Sequence, residues 1–290
     1  MEVCILILQY NSSDFTLQLL ESIVNYEQNN IDCYRFVVMD NASDEPQEDI
    51  ITSRFPFVEF IQYSENLGFA RAHNQIINDI DQKWLLLLNN DCMLKNNAIY
   101  KLLKSASKIN ADFATCEVFN EDGTMQNNYS YLPSPLKRVF IGFTGIWRII
   151  RPLLCKKNTL KVGYINGSVL LIKNDIFRSI GMFDGKYFMY CEDLDLMLRL
   201  SLSGYKGYRI RGGKIIHFGG ASAERINIGW QDYEKNKHDW VDVYGNYYPS
   251  WQIFFFLLAH IIVGSILQFS SKTWSYRNKR AFLSFKRLFR

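Results

Sequence analysis

Apolar runs and polar turns alternate through the first 110 residues. The short runs at 3–8, 34–39, 58–63 and 84–88 predict strands, the first and last of them buried, and the longer amphipathic stretches that follow the polar residues 11–14 and run to about 25, and near 70–78 and 97–109, predict helices. In the first helix, Leu17, Leu20, Ile23 and Val24 share the inward face, and Asn11-Ser12-Ser13-Asp14 offers capping residues. The run Trp84-Leu85-Leu86-Leu87-Leu88 shows no alternation, as expected of a strand covered on both faces. Such a run by itself also fits a buried helix, and the polar step that follows favours the strand.

Each predicted strand ends in polar residues: Tyr10-Asn11, Asp40-Asn41, Asn66 and Asn89-Asn90-Asp91. Strands alternating with helices imply an α/β fold with a mostly parallel central sheet and right-handed crossovers, so these clusters converge on one edge. Open α/β sheets bind ligands there. Any one cluster also reads as ordinary turn chemistry.

Beyond residue 110 the pattern changes. Residues 121–160 lose periodicity and gain Pro133, Pro135, Pro152, Lys137, Arg138, Arg148 and Arg151, which predicts a long loop or an acceptor-side insertion. Order returns with a glycine turn at 162–168, a strand at 169–172, a short helix at 176–180, a helix opening at Glu192-Asp193, and short strands at 208–211 and 214–217. Residues 251–269 are mostly Phe, Leu, Ile and Val, interrupted by Gln252, His260 and Gln268. That length fits a membrane span, a helix or hairpin lying in the interface, or a buried core helix. The expected division is an α/β domain over 1–230 and a helical, membrane-associating region over 231–290.

Charge sharpens this division. Seven of the 33 basic residues lie in 271–290, which holds no acid, and the remainder has 26 basic against 29 acidic residues. The body is thus mildly acidic, which argues against a nucleic-acid groove, while the basic tail suits an anionic membrane surface. Six scattered cysteines without a Cys-x-x-Cys pair, and an apolar start that lacks a basic leader, fit a reducing, cytoplasmic setting.

Several polar residues bear chemistry. Asp91, after a buried strand, suits Mg²⁺ or Mn²⁺ bridged to a phosphorylated ligand. Asp40 suits ribose hydroxyls or a base N–H, although no Gly-x-Gly-x-x-Gly follows the first strand. Glu192 and Asp193 crowd like charge at a helix start, a condition that raises the pKa of one member toward that of a general base. The alternative for both is a structural charge on the helix dipole. His217, before Phe218-Gly219-Gly220-Ala221-Ser222, reads as a metal or diphosphate ligand, or as a structural histidine.

Together, Tyr10-Asn11, residues 38–44 (Val-Met-Asp-Asn-Ala-Ser-Asp), residues 66–74 (Asn-Leu-Gly-Phe-Ala-Arg-Ala-His-Asn), residues 88–91, residues 192–195 and residues 217–222 resemble the inverting family 2 glycosyltransferases of the GT-A fold. Within that family they most resemble the rhamnosyltransferase-like branch. The resemblance covers about residues 3–225. It implies that Asp40, Tyr10, Asn11, Asn41, Asn66, Arg71 and Asn90 hold a dTDP- or UDP-sugar donor. It further implies that Asp91 and His217 serve Mg²⁺ or Mn²⁺, that Asp193 is the catalytic base, and that Glu192 meets the acceptor. Asn89 stands where many relatives carry an acid. The resemblance also implies a lipid-linked or polysaccharide acceptor in bacterial surface polysaccharide synthesis, at the cytoplasmic face of the plasma membrane, and is compatible with an oligomer. Two other classes stay open: a catalytically silent nucleotide-sugar-binding subunit, and a nucleotidyltransferase, for which Gln9-Tyr10-Asn11-Ser12-Ser13 lacks a glycine-rich phosphate loop.

Overall fold

The computed structural model describes residues 2–131, 134, 157–219 and 240–267. Residues 220–222 of the His217 motif, most of the proline-containing middle segment and the basic tail lie outside them. The chain divides into two units, Met1–Tyr131 with Asn158–Lys237, and Leu132–Lys157 with His238–Arg290.

The first unit opens as strand and helix in turn: β1 (Val3–Gln9), α1 (Ser13–Glu27), β2 (Tyr34–Asp40), α2 (Glu48–Arg54), β3 (Val58–Gln62), α3 (Gly68–Ile76) and β4 (Trp84–Leu88). β5 (Cys92–Leu94), α4 (Ala98–Lys108), β6 (Phe113–Phe119), β7 (Tyr129–Ser130), β8 (Thr159–Val162), β9 (Tyr164–Ile165), β10 (Val169–Lys173), α5 (Asn174–Ser179), α6 (Glu192–Leu202) and β11 (Gly207–His217) complete it. Nine strands form one sheet in the order β3-β2-β1-β4-β10-β6-β11-β5, with β8 also paired to β11.

β1 to β4 are parallel, as the alternation implies. β10 then enters antiparallel between β4 and β6, and β5 and β8 run antiparallel to β11. The sheet is therefore mixed rather than mostly parallel. Side-chain period is the same for either direction, so the apolar pattern of β10 carried no sign of its reversal. The two short strands expected at 208–211 and 214–217 are one strand, β11, with a register irregularity between Arg209 and Lys214. Gly212 supplies the positive φ (109°) there.

The leucine run is a central strand. Trp84, Leu86 and Leu88 join a core with Leu19, Leu20 and Ile23 of α1 and Ile99 and Leu102 of α4. Leu85 and Leu87, on the opposite face, are equally buried. With both faces covered, every position is apolar and alternation vanishes; each buried leucine contributes about 1.5–3 kcal/mol.

The N-terminus of α4 has no side-chain cap of its own. Glu27, at the end of α1, accepts the backbone N–H groups of Ile99 and Tyr100 at 2.8 and 3.2 Å, so a buried carboxylate ties the two helices together.

In the second unit, α7 (Trp240–Gly245) and α8 (Ser250–Leu267) follow one another. Val243, Tyr244, Ile253 and Leu257 are buried, and Trp251 and Phe255 are about half exposed. Among the described residues, no helix is long and apolar enough to cross a membrane.

Candidate active site

The carboxyl ends of β1 and β4 open onto a cleft of about 390 Å³, into which Tyr10, Asn41, Asn66, Asn89, Asn90 and Asp91 all face. The convergence expected from the strand ends is present, but the residues divide into those that face the cleft and those that build it. Asp40 builds it. It is fully buried; Gln9 Nε2 donates to its Oδ2 and Ser43 N–H to its Oδ1, each at 2.8 Å. Asn11 lies in the left-handed region (φ 48°) and exchanges hydrogen bonds with Asp44; the N-cap of α1 is Ser12, within the expected stretch, but it makes no side-chain cap. Asn90 lines the cleft while its amide donates to Ser12 O, Ser12 Oγ and Thr16 Oγ1, gripping the start of α1.

Asp91 and His217 meet across the mouth. His217 Nε2 lies 3.2 Å from Asp91 Oδ1 and 3.4 Å from Asn89 Nδ2. Gln126 clamps the ring from behind: its amide N–H₂ donates to His217 O at 2.6 Å, and its Oε1 lies 3.0 Å from His217 Nδ1. With Nδ1 engaged by Gln126, Nε2 is the ring nitrogen that faces Asp91 and is placed to serve as a ligand. Among the described residues, Asp91, Cys92 and His217 form a cluster whose ligand atoms lie within 4.8 Å of one another. Burial, with the Asp91 charge beside it, pushes the Cys92 thiol well above its usual range, so it remains a neutral thiol contacting Ser168 O. The donor set is thus one carboxylate and one imidazole. It fits a hard divalent cation that draws its remaining ligands from phosphate and water.

Asn66 and Asn41 shape the approach to α3. Asn41 Nδ2 donates to Asn66 Oδ1 at 2.8 Å and Asn41 Oδ1 accepts Leu67 N–H at 2.9 Å. Gly68 (φ 73°) follows, where a Cβ would lie 2.3 Å from Phe188 O, so only glycine admits the loop that leads to α6. Phe69 N–H, Arg71 Nε and Asn74 Nδ2 then donate to Phe188 O, Gly185 O and Phe183 O, each at 2.8 Å. Arg71 is exposed and does not line the cleft; its guanidinium pins this loop.

The loop delivers the third cluster. Tyr190 and Cys191 both adopt positive φ (65° and 70°) just before Glu192, a strained turn of the kind found at functional sites. It brings Glu192 and Asp193 into the same cleft as Asp91 and His217. Asp195, by contrast, is fully buried and paired with Arg199 Nε at 2.8 Å. Burial, then the Asp193 charge, raises the Glu192 carboxyl. Burial raises Asp193 too, opposed by hydrogen bonds from Tyr164 and from the backbone of Leu194 and Gly167.

Two carboxyl groups raised by burial beside a carboxylate–imidazole pair give a cleft for general-base and diphosphate chemistry. The family model for glycosyl transferase family 2 matches residues 4–180, more than half of the chain. The chain belongs to glycosyltransferase family 2.

Its curated relatives include the rhamnosyltransferase WbbL of Escherichia coli (strain K12), 26% identical over 224 residues that cover 74% of this chain and 83% of WbbL. The N-acetylglucosaminyl-diphospho-decaprenol L-rhamnosyltransferase of Mycobacterium tuberculosis (strain CDC 1551 / Oshkosh) is 25% identical over 200 residues, 62% of this chain and 65% of that protein. This family 2 chain is therefore rhamnosyltransferase-like in sequence. Among solved structures, GalNAc-T7 with UDP, GalNAc and Mn²⁺ aligns with a TM-score of 0.57 at 14% identity, over 81% of this chain and 49% of that one. S. aureus TarS aligns with a TM-score of 0.56 at 12% identity, over 94% and 75%. These alignments and the mixed sheet give the family 2 chain a GT-A-like α/β fold.

The segment before β10 also enters the cleft, through Tyr164, Asn166, Gly167 and Ser168. Sequence reasoning missed it as part of the site because ligand positions were sought at strand ends. Val169 pairs with Leu88, so the start of the antiparallel β10 lies beside the end of β4. The signal available was the polar Asn166-Gly167-Ser168 turn placed directly before an apolar strand.

Proposed function

We propose that this transferase moves a sugar, with inversion, from a nucleotide-diphosphate donor to a hydroxyl of a lipid-linked or polysaccharide acceptor. The observation that carries the reading is the meeting in one cleft of Asp91 with His217 and of Asp193 with Glu192. Asp193 takes the proton of the acceptor hydroxyl as that oxygen bonds to the anomeric carbon; the bond from that carbon to the diphosphate breaks on the opposite face, and the nucleoside diphosphate leaves. Glu192, next to the base, faces the acceptor. Asp91 and His217 would hold Mg²⁺ or Mn²⁺, which when bound neutralises charge on the leaving diphosphate. Tyr10, Asn41 and Asn66 line the donor side, with Asp40, Asn11 and Asn90 setting their positions from below.

The rhamnosyltransferase activities of WbbL and the mycobacterial relative favour rhamnose as the sugar, and the diphospho-decaprenol substrate of the second favours a diphospholipid-linked acceptor; a dTDP donor is part of the same proposal. The test is transfer by the purified full-length chain across a panel of nucleotide sugars with a polyprenyl-diphosphate-linked sugar acceptor. The expected result is product from one dTDP- or UDP-sugar, with inverted anomeric configuration. Nucleotide binding without turnover of any donor would instead favour the catalytically silent subunit.

The exposed Trp251 and Phe255 of α8, followed in sequence by seven basic residues, support association with an anionic membrane surface, peripheral or single-span, on the cytoplasmic face. The full chain is expected to sediment with phosphatidylglycerol vesicles and not with phosphatidylcholine vesicles, and to lose this on removal of residues 251–290. Equal recovery in the supernatant with both vesicle types counts against it.

A further inference from the structure

Glu192 and Asp193 sit side by side on the first turn of α6, yet the structure serves them unequally. Asp193 Oδ2 accepts the Tyr164 hydroxyl at 2.5 Å, and Oδ1 accepts Leu194 N–H at 2.7 Å. A further backbone hydrogen bond comes from Gly167. The Glu192 carboxyl has a backbone donor in its own N–H, while its Oε2 is buried and takes no hydrogen bond among the described residues. Donors aimed at a carboxylate favour its charged form, and burial without donors favours the acid. Two adjacent carboxyl groups in one cleft resist double ionisation, so a shared proton goes to the member with fewer donors.

We propose that Tyr164 is the residue that makes Asp193 the base of the pair and leaves Glu192 as its protonated neighbour facing the acceptor. This rests on the reading of Asp193 as the base. Tyr164 acts through Asp193 and is therefore a positioning residue. Its backbone is fixed by the pairing of β9 with β7, where Ser130 lies opposite it, and the direction of β10 brings the segment to the cleft. The titratable groups facing the contact are Asp193, Glu192 and Cys191 from the α6 side and Tyr164 from β9. Burial and these neighbouring charges hold the Tyr164 hydroxyl in its protonated, donating form. A protonated Glu192 also gives its unpartnered oxygen a use, since a neutral carboxyl both donates to and accepts from a sugar hydroxyl.

The test is the pH dependence of kcat/KM for Tyr164→Phe in the full-length chain, with nucleoside diphosphate binding measured beside it. The acid limb is expected to move up by about one pH unit or more, so the loss is on the order of tenfold or greater on that limb and small on the alkaline plateau. Nucleotide binding is expected to stay unchanged. Should the phenylalanine variant fail to fold, 3-fluorotyrosine placed at 164, nearly isosteric and a stronger donor, is expected to shift the limb the other way. An acid limb left in place in either variant, whether or not the rate falls uniformly, overturns the assignment. Transfer retained by Asp193→Asn would overturn the underlying reading; an inactive Asp193→Asn with an unmoved limb would overturn the role of Tyr164 alone.

Discussion

Asp193→Asn lowers the transfer rate by roughly 10²–10⁴-fold and leaves nucleotide binding intact, the range expected for loss of a general base. Asparagine keeps the size of the side chain and its carbonyl can still accept the Tyr164 hydroxyl, so the loop and the first turn of α6 are expected to hold. What it lacks is a basic oxygen for the acceptor proton. The loss is expected in kcat, with little change in KM for the donor, because in the proposed mechanism Asp193 meets the acceptor hydroxyl and not the nucleotide. Single-turnover measurements with saturating donor isolate that step. Residual transfer within tenfold of the unaltered enzyme would remove Asp193 from the mechanism and point to Glu192.

The second large effect is expected at Asp91. Asp91→Ala removes the one carboxylate of the Asp91–His217 pair and is expected to reduce transfer at least about 100-fold, with weaker binding of Mn²⁺ and of nucleoside diphosphate in its presence. Chelation of the unaltered enzyme should mimic the substitution, and added Mn²⁺ or Mg²⁺ should restore the unaltered enzyme but not the variant. A cation held by Asp91 and His217 would lose, in Asp91→Ala, the one carboxylate this cluster offers among the described residues. Asn89→Asp should then tighten Mn²⁺ binding, since a second carboxylate would lie near His217 Nε2, from which the Asn89 amide is 3.4 Å away. Activity indifferent to chelator and to Asp91 would leave the pair a structural hydrogen bond.

The α3 segment gives a third view of how the cleft is organised. Asn66 to Asn74 reads in sequence as a donor-binding stretch, and Asn66 does face the cleft. Most of the rest works on the protein: Gly68 gives Phe188 room, Arg71 and Asn74 pin the 183–188 loop, and His73 packs beneath. His73 is buried against Phe69 and Phe183, and that burial lowers its pKa to about 4. The Asn66 side of the cleft and the Glu192–Asp193 side therefore share one support, since the helix that begins beside Asn66 also holds the loop that leads to Glu192 and Asp193.

Much of this architecture was legible in the residues. β1, β2 and β4 announced themselves as apolar runs because each is short, buried and bounded by turn formers; β3, at the end of the sheet, keeps only Val58 buried, and the polar residues after these strands converge as parallel pairing requires. That Asp91, Asp193 and His217 line one cleft was legible for a similar reason, since each follows or opens a recognisable element. Asp40 and Arg71 show the limit of that reasoning. Their types suit a ligand, but only packing reveals that Gln9 and Ser43 hold the first and that Gly185 engages the second.

By itself, then, the sequence determined the strand–helix alternation, the family motifs and the acids available for chemistry, because these depend on local pattern and residue type. The direction of β10, the mixed sheet and the arrival of Tyr164 beside Asp193 were decided only by the tertiary structure. Parallel and antiparallel strands carry the same two-residue period, so which end of β10 meets the cleft depends on pairing with a partner some eighty residues away in β4.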